Sequence, residues 1–265
     1  MSVGYVDVGG GRLWYEEAGE GPSILLLHGE AADSRMWDAQ WTAFTDRFHT
    51  IRLELPGSGR TPYPSGSWQP SAVIECLLNA LGIERVAVVG CALGGTLALD
   101  FVLERPDRVW AVVAASLSVY DHSDGLLDLR AAEVFTLLVA GRPSRAADLY
   151  LDIWCPLRTE AEIDAEICAM VHDNITMLTQ IPNRRLEIGD VSVDPRVREI
   201  DTPALVIWGD RDERAAQAAA QRVATRVRHA IAMVLPETDH YIPMRAPEVF
   251  TTEVTSFLAQ AAPAS

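Results

Sequence analysis

The chain has 265 residues, 49% hydrophobic and 22% charged, which suits one large domain or two small ones around a sizeable core. Asp and Glu number 37 against 22 Lys and Arg, a formal net charge of −15. Binding to nucleic acid or to an anionic membrane is a poor hypothesis, because such proteins carry basic surfaces. The cysteines at positions 76, 91, 155 and 168 form no Cys-x-x-Cys pair and are too sparse for a disulfide scaffold.

The N-terminal sequence and the lengths of the apolar runs indicate the cellular compartment to expect. The N-terminus has no basic stretch followed by an apolar run, so we predict no signal peptide. The longest apolar runs, such as Ile24–Leu27, are too short to cross a bilayer. We therefore expect a cytoplasmic protein with reduced thiols.

The predicted elements begin with a hairpin. Val3–Val8 alternates apolar and other residues, three glycines form a turn, and Arg12–Glu17 continues the pattern. Ser23–His28 differs, because its almost wholly apolar run is typical of a strand covered on both faces. Similar runs recur further along the chain, at His49–Glu54, Arg85–Gly90, Val109–Ala115, Ala204–Trp208 and Ala230–Leu235.

Helical patterns lie between several of these strands. The first is Ser34–Arg47, which can begin with Ser34 as its N-cap. The others are Ala72–Leu81, Leu93–Glu104, Glu213–Val227 and Pro247–Gln260. Strands that alternate with helices predict an α/β fold, with a mostly parallel sheet covered by helices on both faces.

One long stretch interrupts this alternation. Between about residues 120 and 194 there is no clear buried strand, but there are helical patterns followed by a loop-like segment, at Leu126–Leu138, Ala146–Trp154, Glu160–Met177 and Ile181–Asp194. We predict a core domain of residues 1–119 and 195–265, with residues 120–194 inserted as a helical cap. Such a cap would cover the crevice where ligands bind in these folds. The alternative is that it only covers hydrophobic sheet surface.

The segment Arg85–Thr96 carries the strongest motif of the chain, RVAVVGCALGGT. A buried strand ends at Gly90 and a helix begins near Leu93, so the turn between them is very tight. Side chains two positions on either side of residue 92 would collide with neighbouring backbone, and Gly90 and Gly94 remove them. The turn would point residue 92 into the crevice, at a helix N-terminus that stabilises negative charge.

This turn resembles the Gly-x-Ser-x-Gly nucleophile elbow of the α/β-hydrolase superfamily, with Ala92 where serine is expected. Four more stretches resemble the same family in the same order: LLLHGEAADSRMW at 25–37, LELPGSGRT at 53–61, ALVIWGDRD at 204–212 and PETDHYIPMRAPEVF at 236–250. In the second of these, Glu54 and Thr61 depart from the usual Asp and Ser. The resemblance covers nearly the whole chain and points to the branch of small bacterial cap-bearing esterases, lactonases and C–C hydrolases.

The resemblance implies a role for several residues. His240 would be the catalytic base and Asp212 its acidic partner, with Asp210 as the competing acid. The backbone N–H groups of Glu30 and Leu93 would form the oxyanion hole. We expect the Glu30 side chain to point to the surface, and the alternative is a pair with Arg35, because a carboxylate beside an oxyanion is repulsive.

The other candidates are weaker. Cys91 is expected to pack inward and not to replace the missing nucleophile. Trp154 and Met177 are candidates to bind substrate, with a core position as the alternative, and His122 is a candidate at the entrance of the cap. No cofactor or metal is implied, since the chain has no His-Glu-x-x-His, no clustered ligands and no dinucleotide glycine fingerprint. Dehalogenase and epoxide hydrolase chemistry is disfavoured, since it needs an aspartate at position 92.

Alanine at position 92 has no nucleophile, and loss of the serine of a triad costs on the order of 10⁶ in turnover. The interpretation we favour is an inactive, engineered serine-to-alanine form of a hydrolase acting on an ester or lactone of a moderately large, apolar small molecule. The alternative is a natural cyclase, lyase or ligand-binding protein that uses His240 as a general base, or uses only the pocket. The expected partner is a small-molecule substrate, while its identity and a homodimeric state stay open.

Overall fold

The computed structural model describes residues 1–63, 65, 69–118, 125–158, 162–180 and 195–263. Within them, the strands are β1 (Ser2–Asp7), β2 (Arg12–Ala18), β3 (Ser23–Leu27), β4 (His49–Leu53), β5 (Val86–Cys91), β6 (Val109–Ala115), β7 (Ala204–Gly209) and β8 (Ala230–Leu235). They form one sheet in the order β1-β2-β4-β3-β5-β6-β7-β8. β2 pairs antiparallel with β1 and β4, and the remaining pairs are parallel. The predicted hairpin and mostly parallel sheet are confirmed.

Helices cover both faces of this sheet, as predicted. They are α1 (Asp38–Thr45), α2 (Pro70–Ala80), α3 (Leu93–Glu104), α4 (Gly125–Val139), α5 (Pro143–Trp154), α6 (Glu162–Asn174), α7 (Arg214–Arg226), α8 (Ile242–Arg245) and α9 (Pro247–Ala261). Alternate residues of the central strands point to opposite faces. Leu26 and Val89 pack on the side of α1 and α9, whereas Leu25 and Val88 pack on the side of α2, α3 and α7.

The start of the first helix differs from the prediction. Asp33, not Ser34, is the cap, since its carboxylate accepts the backbone N–H of Arg35 at 2.9 Å. A 3₁₀ turn, Ser34–Trp37, precedes α1. The Ser34 hydroxyl instead donates to the buried Glu54 carboxylate at 2.8 Å. Both residues are good caps by type, so local sequence could not separate them.

The last strand also differs, because β8 lies at the edge of the sheet and is not covered on both faces. Ile231 and Val234 on this strand are about half exposed. An apolar run alone does not distinguish a central strand from an edge strand, since the position depends on which neighbours pair with it.

The helical segment interrupts the chain between two adjacent strands. β6 and β7 pair directly, for example at Val113 and Leu205, although α4, α5, α6 and a 3₁₀ turn, Ile175–Gln180, separate them in sequence. The limits proposed for the cap, near residues 120 and 194, fall in stretches outside the described residues. No helix within the described ranges is long and apolar enough to span a membrane.

Candidate active site

The turn after β5 has the geometry of a strained elbow. Ala92 connects β5 to α3 with φ 54° and ψ −121°, a conformation that costs a non-glycine residue about 1–3 kcal/mol. A Cβ added to Gly94 would lie 1.9 Å from the carbonyl oxygen of Leu27, and one added to Gly90 would lie 2.1 Å from that of Gly94. The two glycines therefore permit the close approach of strand, turn and helix.

The side chain of Ala92 faces the loop after β3. A Cβ added to Gly29 would lie 2.9 Å from the Cβ of Ala92, so the elbow and this loop oppose each other across a narrow gap. The backbone N–H of Ala92 donates to the carbonyl oxygen of Ala115 at 2.9 Å, which ties the elbow to the end of β6. Residue 92 is thus held at the carboxyl edge of the sheet, where parallel α/β folds bind ligands.

A buried histidine and carboxylate lie next to one another at the same edge. Nδ1 of His240 is 2.9 Å and 3.0 Å from the two carboxylate oxygens of Asp212. Asp212 follows β7 and His240 follows β8, and their loops are joined where Arg211 donates its backbone N–H to the carbonyl oxygen of Thr238 at 3.0 Å. The contact places the Nδ1 proton toward Asp212 and leaves Nε2 as the basic nitrogen.

Burial and the charge of Asp212 act in opposite directions on the pKa of His240. Burial by itself lowers the pKa of His240, but the charge and hydrogen bond of Asp212, with smaller contributions from Asp239 and Glu30, raise it above its ordinary value. The imidazolium form of His240 is therefore stabilised. A base with this property accepts a proton readily, as general-base catalysis requires.

His28 is fixed by the loop after β3. Its Nδ1 donates to the carbonyl oxygen of Gly29 at 2.8 Å, and its Nε2 accepts the backbone N–H of Leu55 at 2.9 Å. Burial lowers the pKa of His28 to about 4, so the ring is neutral near pH 7. His28 therefore shapes the turn that precedes Glu30.

The two predicted oxyanion donors flank the elbow. Leu93 is the first residue of α3, so its N–H is one of those that a helix leaves without an internal partner. Glu30 lies in the opposing loop and is half-buried, so the direction of its side chain stays a prediction. Arg35 pairs with Asp33 at 2.7 Å and with Asp173 at 2.9 Å.

The predicted cap residues are placed differently from one another. The Trp154 ring packs on the His240 ring, with 4.5 Å between the centroids. Met177 is almost fully buried, and its sulfur faces the loop after β3. His122 lies outside the described residues.

Cys91, beside the elbow, is fully buried, with its Sγ 3.7 Å from the carbonyl oxygen of His240. Burial raises the pKa of its thiol, so Cys91 is a poor nucleophile.

Sequence reasoning missed a buried ionic cluster beside His240. Arg245 donates through Nε to both oxygens of Asp239, at 3.1 Å and 3.2 Å, and through Nη1 to Asp164 of α6. Its Nη2 is 2.8 Å from the sulfur of Cys155. The cluster ties the loop that carries His240 to the helical segment. Asp239 and Arg245 lie in the stretch 236–250, but Asp164 and Cys155 are distant in the sequence and join them only in the fold.

We predict that Arg245→Met lowers the free energy of unfolding by about 3–5 kcal/mol. The change leaves Asp239 and Asp164 as buried carboxylates without their cation, and breaking a buried pair has a cost of this size. Chemical denaturation followed by tryptophan fluorescence measures the effect. Arg211→Met is the control, since Arg211 is exposed and pairs with exposed Glu237, so its loss should change the free energy of unfolding far less. Equal losses in the two variants would contradict the assignment of the buried cluster.

A separate cavity of about 400 Å³ lies at the opposite end of the sheet. Its lining includes Arg85, Trp110 and Pro203, which lie at the amino ends of β5, β6 and β7. Because ligands of open α/β sheets bind beyond the carboxyl ends of the strands, we place the candidate active site at the elbow and not in this cavity.

Among the described residues, no group of three or more His, Cys, Asp or Glu is arranged to hold a metal ion.

The chain belongs to the α/β-hydrolase family, whose sequence profile matches residues 24–253. It is 25% identical over 253 residues to the carboxylesterase YbfK of Bacillus subtilis, covering 90% of this chain and 81% of that protein. It is 24% identical over 255 residues to the (E)-2-((N-methylformamido)methylene)succinate hydrolase of Acinetobacter baylyi, covering 92% and 93%.

The fold is also that of solved hydrolases. The enol-lactonase from Burkholderia xenovorans superposes with a TM-score of 0.82 at 23% identity, over 97% of this chain and 100% of that one. The predicted family and fold are therefore confirmed, and the relatives include esterases and a lactonase.

Proposed function

We propose that the chain is a serine-less form of a hydrolase that cleaves an ester or lactone bond in a moderately large, apolar small molecule. The observation that carries the proposal is the buried pair of His240 and Asp212 at the same sheet edge as an elbow that keeps its strained backbone. An elbow held at positive φ presents whatever side chain occupies residue 92, and alanine presents only a methyl group.

The mechanism follows from these positions. A serine at position 92 would attack the carbonyl carbon while Nε2 of His240 takes its proton, and Asp212 would stabilise the imidazolium. The N–H groups of Glu30 and Leu93 would bind the negative oxygen, and His240 would return the proton to the leaving alcohol. Water, deprotonated by His240, would then attack the acyl group and release the acid. Lacking the attacking oxygen, this chain would bind its substrate and leave it intact.

The surroundings of the pair support an apolar substrate. The Trp154 ring covers His240, and the ring of Tyr150 lies 6.3 Å from that of Trp154 on the same side of α5. Aromatic side chains of this kind bind apolar groups through buried area.

All four cysteines are free, which supports a reducing compartment such as the cytoplasm.

The direct test incubates the unchanged chain with p-nitrophenyl hexanoate and with a medium-ring lactone, and follows both compounds by mass spectrometry. We expect intact ligand to be recovered in complex with the protein, because removal of the attacking atom leaves the pocket in place. Release of acid at a rate above that of buffer would overturn the proposal that residue 92 supplies the nucleophile.

A second function is supported by Ala92 itself, since a natural alanine at this position is compatible with a non-hydrolytic cyclase or lyase. His240 would then act as a general base without covalent catalysis, a role worth about 10²–10⁴-fold. The same mass-spectrometric experiment separates the two proposals. An isomer or elimination product that disappears in a His240→Ala variant would favour this second function.

We predict that Trp154→Ala, in the Ala92→Ser form, raises KM for p-nitrophenyl hexanoate about tenfold with little change in kcat. The half-buried ring would lose apolar contact with the substrate, and such contact contributes about 1.5–3 kcal/mol for a large side chain. Trp41→Ala is the control, because Trp41 packs under Arg52 on the core, 4.4 Å from its guanidinium carbon, and should leave KM unchanged. Insoluble Trp154→Ala protein would instead assign Trp154 to the core.

A further inference from the structure

The peptide that joins Glu30 to Ala31 is contacted at both ends by side chains of the helical segment. The Tyr150 hydroxyl, from α5, lies 3.3 Å from the carbonyl oxygen of Glu30. The N–H of Ala31 donates to the sulfur of Met177, from the 3₁₀ turn after α6, at 3.2 Å. The carbonyl and the N–H of one peptide are thus both engaged by residues that lie more than a hundred positions away in the sequence.

This peptide needs such support because its backbone is strained. Ala31 has φ 48°, in the left-handed region that a residue with a Cβ rarely adopts. A conformation of this kind persists only where the surroundings hold it. Both side chains are buried, since Tyr150 is 5% and Met177 2% exposed. The contact at Ala31 is buried and the contact at Glu30 is partly buried, so access of water to these groups is restricted.

The protonation state of Tyr150 and the fixed position of the Met177 sulfur favour stable hydrogen bonds to this peptide. Burial, with the nearby charge of Glu30, raises the pKa of Tyr150 well above its ordinary value, so the hydroxyl keeps the proton that it donates. The thioether of Met177 accepts only weakly, but Ser58 donates to the same sulfur at 3.2 Å, which fixes its position. The N–H of Ala31 is therefore committed to Met177 and is not an oxyanion donor.

We propose that Tyr150 and Met177 are positioning residues that set the direction of the Glu30 N–H, and that the helical segment thereby completes the oxyanion hole. The inference rests on the proposed hydrolytic function. The Glu30 N–H belongs to the peptide immediately before the clamped one, so holding the Glu30 carbonyl and the Ala31 N–H restricts rotation of residue 30. The helical segment acts on the transition state as well as on substrate binding.

The kinetic test uses Tyr150→Phe and Met177→Leu in the Ala92→Ser form, with p-nitrophenyl hexanoate as substrate. Each change removes one hydrogen bond while nearly conserving shape, and we expect kcat to fall about three- to tenfold with KM within twofold. Tyr5→Phe and Met170→Leu are the controls, since Tyr5 is on the exposed face of β1 and Met170 is buried in α6 without a side-chain hydrogen bond to Glu30 or Ala31 among the described contacts. A rise in KM with unchanged kcat would make both residues pocket walls and overturn the proposal.

A second measurement needs no catalysis. In the unchanged Ala92 chain, NMR-detected hydrogen exchange reports directly on the Ala31 amide. Met177→Leu should accelerate exchange of this amide at least tenfold, with the amides of Leu25 and Leu26 in β3 unaffected. Unchanged exchange at Ala31 would overturn the proposal whatever the kinetics show. If the Ala92→Ser form is inactive while Ala31 exchange accelerates, the proposed function fails, the oxyanion role fails with it, and only the structural clamp stands.

Discussion

The Ala92→Ser variant is expected to hydrolyse p-nitrophenyl esters that the unchanged chain leaves intact. Position 92 sits at the tip of the elbow with its side chain facing the loop that carries Glu30, and His240 is already paired with Asp212. On the proposed mechanism, a serine hydroxyl at this position supplies the nucleophile that alanine does not have. The gain in kcat should approach the loss that follows removal of a triad serine, about 10⁶-fold.

A serine introduced at the neighbouring residue 91 is a matched control, because it tests whether activity requires the hydroxyl at residue 92. Cys91→Ser introduces a hydroxyl one residue earlier, but its side chain is buried against the backbone of His240 and should give no activity. Release of p-nitrophenol, measured by absorbance over a panel of aryl esters and lactones, checks both variants. An Ala92→Ser protein that folds and yet converts none of them would contradict the hydrolase proposal.

The second large effect concerns Asp212. In the Ala92→Ser form, Asp212→Asn should lower kcat about 10⁴-fold, because an amide permits the wrong tautomer of His240 and no longer stabilises the imidazolium. The pH profile should move as well. His240 must be neutral to accept a proton, so activity is lost as pH falls through its pKa. Since Asp212 is the main group that raises this pKa, its removal should shift the acid limb to lower pH.

Asp210→Asn is the control for this prediction. Asp210 lies two residues earlier in the same loop, but its side chain is exposed and does not contact His240. We expect kcat within twofold and an unchanged acid limb, measured as kcat/KM between pH 5 and pH 9. A loss in Asp210→Asn equal to that in Asp212→Asn would contradict the assignment of the acid.

Much of the core could be predicted from sequence because its signals are local. The apolar run before Gly90 and the glycines around residue 92 define strand, turn and helix within twelve residues, and α3 spans Leu93–Glu104 as predicted. The candidate positions 212 and 240 follow from motifs attached to the ends of the apolar runs that form β7 and β8. The structure brings these two side chains into hydrogen-bonding contact.

The rest could not be predicted, because it depends on contacts between distant segments. Tyr150 resembles any aromatic residue on the apolar face of an amphipathic helix, and only the folded chain places its hydroxyl on the carbonyl of Glu30. Arg245 lies within the stretch that carries His240, but nothing local marks it as the partner of Asp164, which comes from another part of the chain. Edge and central strands can have equally apolar sequences, so the exposure of Ile231 on the edge strand β8 could not be predicted.

The insertion of the helical segment between two paired strands has a consequence for how this scaffold diversifies. β6 and β7 pair directly although the helical segment separates them in the sequence, so an exchange of these helices need not alter the hydrogen bonds between the two strands. A transplanted segment would bring a different binding surface to the same pair of His240 and Asp212. To keep the contacts described above, it would have to supply a hydroxyl for the Glu30 carbonyl, an acceptor for the Ala31 N–H, and carboxylates for Arg245 and Arg35.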